Sequence, residues 1–255
     1  MKIEFMAKKN KNPSVVGEFL STILWAVGIA LVLRTFLFQP FNIPSNSMQP
    51  ALTKGDYIIT SKFSLGYGRH AAEPMPFPVK RGRLFERGPK RGDVIVFRPD
   101  GISKNLIKRV VGLPGDQLQM ISGVLHINSE RVGIESFGSE DRLDKYGNYQ
   151  DTDVQKETLP KLDSILIYDA MKNGPSDNTS VFTVPAGHYF FMGDNRDNSL
   201  DSRYSVAQGG AGYVPAEALM ARAEFVLLSV TDDFVLFKPW TWANMRGDRF
   251  FKGIH

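Results

Sequence analysis

Three short segments hold residues whose types and spacing could do chemistry. The first is Pro44-Ser45-Asn46-Ser47-Met48-Gln49-Pro50. A serine hydroxyl there becomes a nucleophile only if a base takes its proton; without one, two prolines around Ser-Asn-Ser make a tight linker. The second is Leu106-Ile107-Lys108-Arg109-Val110-Val111. Strand alternation puts Lys108 on one face with Leu106 and Val110, and Ile107 with Arg109 on the other. A lysine on an apolar face either snorkels to water or, held in low dielectric, loses its proton readily enough to act as a base. The third is Gly193-Asp194-Asn195-Arg196-Asp197-Asn198-Ser199-Leu200-Asp201-Ser202-Arg203, too polar to be core. Its three Asp and two Asn invite a calcium reading. Counting from Asp194, however, the positions that want glycine and glutamate are Ser199 and Ser205, which disfavours it. Acids alternating with arginines can instead pair and stiffen the loop.

Composition narrows the chemistry. The chain has 255 residues, 42% hydrophobic and 23% charged, as a packed protein does. With no cysteine, disulfides, thiolate catalysis and cysteine metal sites are excluded. His70, His126, His188 and His255 are far apart, with no HExxH spacing to make a zinc site. The net charge is +4, and most of it lies in residues 1–36, where Lys2, Lys8, Lys9, Lys11 and Arg34 face only Glu4 and Glu18. What remains is too nearly neutral for a nucleic-acid platform.

The elements that must position these residues begin with Val15 to Leu33, VVGEFLSTILWAVGIALVL, long enough as a helix to cross a bilayer. No small-x-small cleavage site follows it, so an uncleaved anchor is expected. Lys8, Lys9 and Lys11 before the span place Met1 to Pro13 in the cytoplasm and the chain beyond Phe38 outside it. Short apolar runs then predict strands over Tyr57–Thr60, Val94–Phe97, Leu106–Val111, Val124–Ile127, Phe182–Val184, Tyr189–Met192 and Phe225–Val230. Leu113-Pro114-Gly115-Asp116 has the central Pro-Gly pair of a type II turn. Pro215–Ala221 is read as a short helix, 62–91 as a basic surface excursion, and 136–157 as charged and peripheral, part of an inserted subdomain. The expected fold is mainly β: one transmembrane helix, then an antiparallel β-sheet catalytic domain with an inserted β-rich subdomain. The domain reading is 1–14 cytoplasmic, 15–36 anchor, 37–116 with 187–255 catalytic, and 117–186 inserted.

Taken in order, Ser45-Asn46-Ser47-Met48, Arg91-Gly92-Asp93-Val94, Lys108 to Asp116 and Gly193 to Arg203 resemble the motif boxes of bacterial type I signal peptidase. The resemblance implies a membrane enzyme that cuts signal peptides from exported preproteins, with Ser47 as nucleophile and Lys108 as general base. It also implies an oxyanion hole from the Ser47 N–H and the Ser45 hydroxyl, Ser199 orienting the lysine, and Asp194, Arg196, Asp201 and Arg203 as scaffold. Phe41, Ile43, Pro44, Leu106 and Ile107 would bind substrate by strand addition. Leu106 departs from the family, in which many members carry an aromatic residue there. Expected partners are preproteins and the lipid bilayer, with no nucleic acid, cofactor or metal, in a bacterial inner membrane crossed once. Two other classes fit less well. A self-cleaving repressor protease would need a helix-turn-helix and no anchor, and a non-catalytic anchored β-module leaves the ordered motifs unexplained. The aromatic and basic tail Phe237-Lys238-Pro239-Trp240-Thr241-Trp242, with Phe250-Phe251-Lys252, is read either as a membrane-resting surface or as core.

Overall fold

The computed structural model describes residues 15–70, 79, 82–143, 149–171, 173–235 and 237–254. The segment with Lys8, Lys9 and Lys11, and residues 71–78, 80 and 81 of the basic excursion, lie outside the described residues. Helix α1 (Val15–Phe36) is 22 residues long and buries only Thr35. At about 1.5 Å per residue it can span roughly 30 Å of hydrocarbon, and it is apolar all round, as a span must be. The helix enters the first strand across Leu37 alone. The Tyr67 hydroxyl donates to the Phe36 carbonyl at 2.8 Å, and the two rings meet edge to face at 5.9 Å.

The strands are β1 (Phe38–Asn42), β2 (Asp56–Ser61), β3 (Val94–Phe97), β4 (Leu106–Gly112), β5 (Gln117–Ile121), β6 (Val124–Ile127), β7 (Glu130–Arg131), β8 (Gly133–Leu143), β9 (Tyr149–Thr158), β10 (Ile165–Asp169), β11 (Phe182–Thr183), β12 (His188–Met192), β13 (Val214–Pro215), β14 (Leu219–Ser229) and β15 (Lys252–Gly253). One antiparallel sheet runs β1-β2-β14-β3-β4-β12-β13, with β15 against β14; β10-β9-β8 and β11-β5-β6-β7 form two smaller sheets. Pro40 sits in β1 because an edge strand can spare an N–H. One apolar cluster, with Ile95, Phe97, Val110 and Phe191, packs on one side of the large sheet. A second, with Ile43, Met48, Ile58, Val94 and Val96, packs on the other. A third, with Leu118, Leu125, Ile167 and Phe190, fills the space around the smaller sheets.

The predicted strands form, and the Pro-Gly turn closes with Asp116 N–H donating to the Leu113 carbonyl at 3.0 Å and Gly115 at φ 91°. Three expectations need correction. Pro215–Ala221 is not a helix: a 3-10 turn covers Ala216–Ala218 and β14 begins at Leu219. Leu219, Met220 and Ala221 are all buried, and a strand covered on both faces carries the same apolar run as a buried helix. The stretch 136–157 holds most of a long hairpin, β8 with β9, and its last residue, Glu157, is wholly buried. The described part of 62–91 is tied to the body of the protein: Lys62 and Leu65 are buried, and Arg83 donates to the carbonyls of Leu65, Gly66, Ala216 and Leu219.

Candidate active site

Ser47 lies in the turn that leaves β1, held by burial of its neighbours Met48 and Leu52 in the core. The Leu52 N–H donates to the Met48 carbonyl at 2.8 Å, and Asn46 Oδ1 accepts from the Lys54 N–H at 3.1 Å. Lys108 stands mid-strand in β4 opposite Ile95 of β3. By the pleat it shares its face with Leu106 and Val110, as the alternation predicted. It is only 4% exposed, and its Nζ donates a hydrogen bond to Ser47 Oγ. Ser45 Oγ lies 3.3 Å from the same hydroxyl oxygen.

Burial disfavours the ammonium and brings Lys108 from the ordinary 10.5 down to about 8; Asp201 and Asp194 pull it upward, and Arg203 reinforces the fall. These charges belong to an arrangement under the site. Arg109, on the face of β4 opposite Lys108, pairs both ways with Asp194 at 2.8 and 2.7 Å and donates to the Gly92 carbonyl at 2.7 Å. Arg203 pairs with both oxygens of Asp201 at 2.9 Å. Asp201 Oδ2 also accepts the Gly193 N–H at 2.9 Å. Burial alone would push the Asp201 carboxyl up, but Arg203 and the Gly193 N–H bring it below the usual carboxylate range. Arg196 pairs with Glu157.

The hydroxyl of Ser199 is buried beside the Asp201 carboxylate, whose charged form it favours. Of the expected substrate contacts, Ile43 is buried and Phe41 and Ile107 pack against the same cluster, which also contains Met48 beside Ser47. Leu106 packs on the opposite side, and Pro44 is exposed.

Sequence reasoning left out Arg109, Asn195 and Glu157. The Asn195 N–H donates to the Ser47 carbonyl at 3.2 Å, and its amide to the Asn46 carbonyl at 3.2 Å, so it grips the turn that carries Ser47 directly. Its place inside the third motif was the available signal; Glu157 had none. Asp169, Asp177 and Asp197 also gather, their carboxylate oxygens within 4.8 Å of one another. Burial, with the hydrogen bond and charge of Asp197 and the charge of Asp177, pushes Asp169 up to about 7 against the pull of Arg196.

The family described as signal peptidase, peptidase S26, matches residues 16–228. The chain belongs to that family. Signal peptidase I of Rickettsia conorii is 36% identical over 264 residues, covering 97% of this chain and 96% of that one. Signal peptidase I of Rickettsia typhi is 36% identical over 260 residues, covering 96% of each. A crystal structure of a signal peptidase I from Enterococcus faecalis V583 covers 53% of this chain and 97% of that one at 25% identity, with a TM-score of 0.31, a superposition too loose to bear on the fold. As a signal peptidase, the chain hydrolyses peptide bonds. Within it, the buried Lys108 amine and the Ser47 hydroxyl are in hydrogen-bond contact.

Proposed function

We propose that this signal peptidase is a membrane-anchored serine endopeptidase that removes N-terminal signal peptides from exported preproteins, with Ser47 as nucleophile and Lys108 as general base. The observation that carries this reading is the hydrogen bond between the Lys108 amine and Ser47 Oγ inside a pocket that brings the amine to about 8. Neutral Lys108 takes the hydroxyl proton as Oγ bonds to the scissile carbonyl carbon, and the carbonyl oxygen becomes an oxyanion. The Ser47 N–H and the Ser45 hydroxyl are the donors assigned to that oxyanion. As the tetrahedral intermediate collapses, the carbon–nitrogen bond breaks and Lys108 returns its proton to the leaving amine. Water then attacks the acyl-enzyme, gives its proton to Lys108, and Oγ leaves with that proton. Ser199 is assigned to orienting the lysine, and the Asp194, Arg196, Asp201 and Arg203 set to holding its surroundings.

Substrate is assigned to run along Phe41, Ile43 and Pro44 beside Ile107, which joins the cluster of Ile43; Leu106, expected among these contacts, packs on the other side of the sheet. Residues 37–116 and 187–255 form the catalytic part and 117–186 an inserted, non-catalytic one. The anchor crosses a bacterial inner membrane once, with its N-terminus in the cytoplasm. The cleavage site of a preprotein whose signal lies in the same bilayer then emerges where Ser47 waits, and tethering raises its effective concentration. Phe237, Trp240 and Phe251 are 90%, 75% and 71% exposed, which excludes the core reading of the tail and supports contact with lipid.

The test is a fluorogenic peptide with Ala-x-Ala before the scissile bond. Turnover falls by about 10³-fold or more in Ser47→Ala and in Lys108→Ala. Lys108→Arg is equally inactive, because a guanidinium does not deprotonate at working pH. Unchanged turnover in any of the three overturns the dyad.

A further inference from the structure

We propose that Glu157, outside every motif of the family, is a positioning residue for the reaction at Ser47: by holding Arg196 it fixes the loop from Gly193 onward against the nucleophile turn. Glu157 stands on β9, 39 positions from Arg196 in the chain. It is 0% exposed and Arg196 is 5% exposed. Its Oε1 accepts from the Arg196 guanidinium at 2.7 Å, and its other oxygen accepts a second bond. The neighbouring strand β10 completes the grip. The Tyr168 N–H donates to the Asp194 carbonyl and the Arg196 N–H to the Tyr168 carbonyl, both at 2.8 Å. Asp197 Oδ2 accepts the N–H groups of Ala170 and Met171 at 2.9 and 2.8 Å.

The intervening residue, Asn195, faces the other way and binds the carbonyls of Ser47 and Asn46. Four consecutive residues therefore link β9 and β10 to the nucleophile turn. The Arg196 carbonyl also accepts from Arg203, the partner of Asp201. A shift of Arg196 is felt one residue away at Ser47 and, through Arg203, at the charges around Lys108. Fully buried ion pairs are seldom worth more to stability than apolar side chains of the same size. What such a pair does supply is one geometry, and misplacing catalytic groups by about 1 Å costs on the order of 10²-fold in rate.

This inference rests on the Ser47 and Lys108 reading, and the experiment separates the two. With the full-length enzyme in detergent and the Ala-x-Ala peptide, kcat and KM are measured below each variant's unfolding midpoint. Glu157→Gln keeps the size and removes the charge. It lowers kcat at least tenfold and leaves KM within about twofold, since Glu157 touches no substrate. Arg196→Gln does the same, and the double variant is no worse than the poorer single one, as expected when one residue acts through the other. Leu125→Val, in the core on β6 and opposite Met120 of β5, lowers the midpoint and leaves kcat of the folded enzyme unchanged. If Glu157→Gln fails to fold, Glu157→Asp keeps the charge on a shorter arm and is read by the same split. A kcat within twofold of the parent in the folded Glu157 variant, or effects of Glu157→Gln and Arg196→Gln that multiply in the double variant, overturns the inference. Activity that survives Ser47→Ala overturns the dyad instead.

Discussion

Lys108 Nζ donates to Ser47 Oγ across 61 positions of chain. Neither residue is held by its own segment alone. Lys108 is fixed by β3 and β12 on either side of its strand, and Ser47 by the Asn195 N–H on its carbonyl. The pairing thus depends on two independent parts of the fold meeting in register, and the burial that comes with it sets the protonation state of the amine.

That state fixes the pH dependence of turnover. As the proposed base Lys108 must be neutral, and at about 8 it leaves only about a tenth of the free enzyme competent at pH 7. The kcat/KM profile should rise about tenfold per pH unit from acid, bend near pH 8 and level off above it. Stopped assays with the Ala-x-Ala peptide in buffers of constant ionic strength provide the check. A bend near the ordinary lysine value of 10.5, or a flat profile, contradicts the assignment of Lys108.

Much of this was legible in the residues, and the exceptions have physical reasons. Val94–Phe97 and the Leu113-Pro114-Gly115-Asp116 turn announce themselves because β-branched runs and a Pro-Gly pair act locally. Lys108 on an apolar face was readable from alternation alone. Pro215–Ala221 misleads because burial on both faces of β14 removes the period that separates strand from helix. The β8–β9 hairpin shows no pattern because β8 is mostly exposed on both faces, and the buried positions of β9 are Thr152, Val154 and Glu157, two of them polar. Glu157 within that charged run looks like any surface acid, and only the three-dimensional approach of Arg196 makes it a buried one.

The lysine lowers stability, and the sign can be followed with pH. Folded Lys108 gives up its proton near 8, the unfolded chain near 10.5. Below pH 8 both states are protonated and the folded state bears the whole penalty, roughly 3 kcal/mol by the size of the fall. Between the two values the unfolded state binds more protons, so stability rises with pH, and above 10.5 the penalty is gone. Lys108→Met should therefore be more stable than the parent at pH 7, by about 2 kcal/mol after losing the bond to Ser47. The gap should close as pH passes 10. Denaturant unfolding across pH measures it; a gap that does not change with pH refutes the account.

Asp201→Asn should lower both the stability of the protein and the pH at which its activity profile bends. The change leaves the buried Arg203 guanidinium without its counter-charge, which costs about 3–5 kcal/mol. It also removes the largest charge that raises Lys108 and leaves Arg203 to lower it. The melting temperature falls while the bend in kcat/KM moves below pH 8. A bend that moves upward shows that Asp201 does not act on the lysine through its charge.

Gly193→Ala tests how closely the third motif is packed on Ser47. A Cβ at Gly193 would meet Ser199 Oγ at 2.3 Å and the Ser47 carbonyl oxygen at 2.4 Å. The Oγ contact can yield by a rotamer change, but the Ser199 Cβ at 2.6 Å and the Ser47 backbone cannot, so the third motif and the turn that presents Ser47 have to move apart. A shift of that kind costs on the order of 10²-fold in kcat, with about 1–3 kcal/mol of stability from overpacking. Gly115→Ala is the matched control: its φ of +91° strains any side chain, yet a Cβ there meets nothing within 4 Å. It should lose a comparable amount of stability through strain and keep the parent's kcat in the folded enzyme. Equal kcat losses in the two variants would mean that general destabilisation, and not the approach of Gly193 to Ser47, governs the rate.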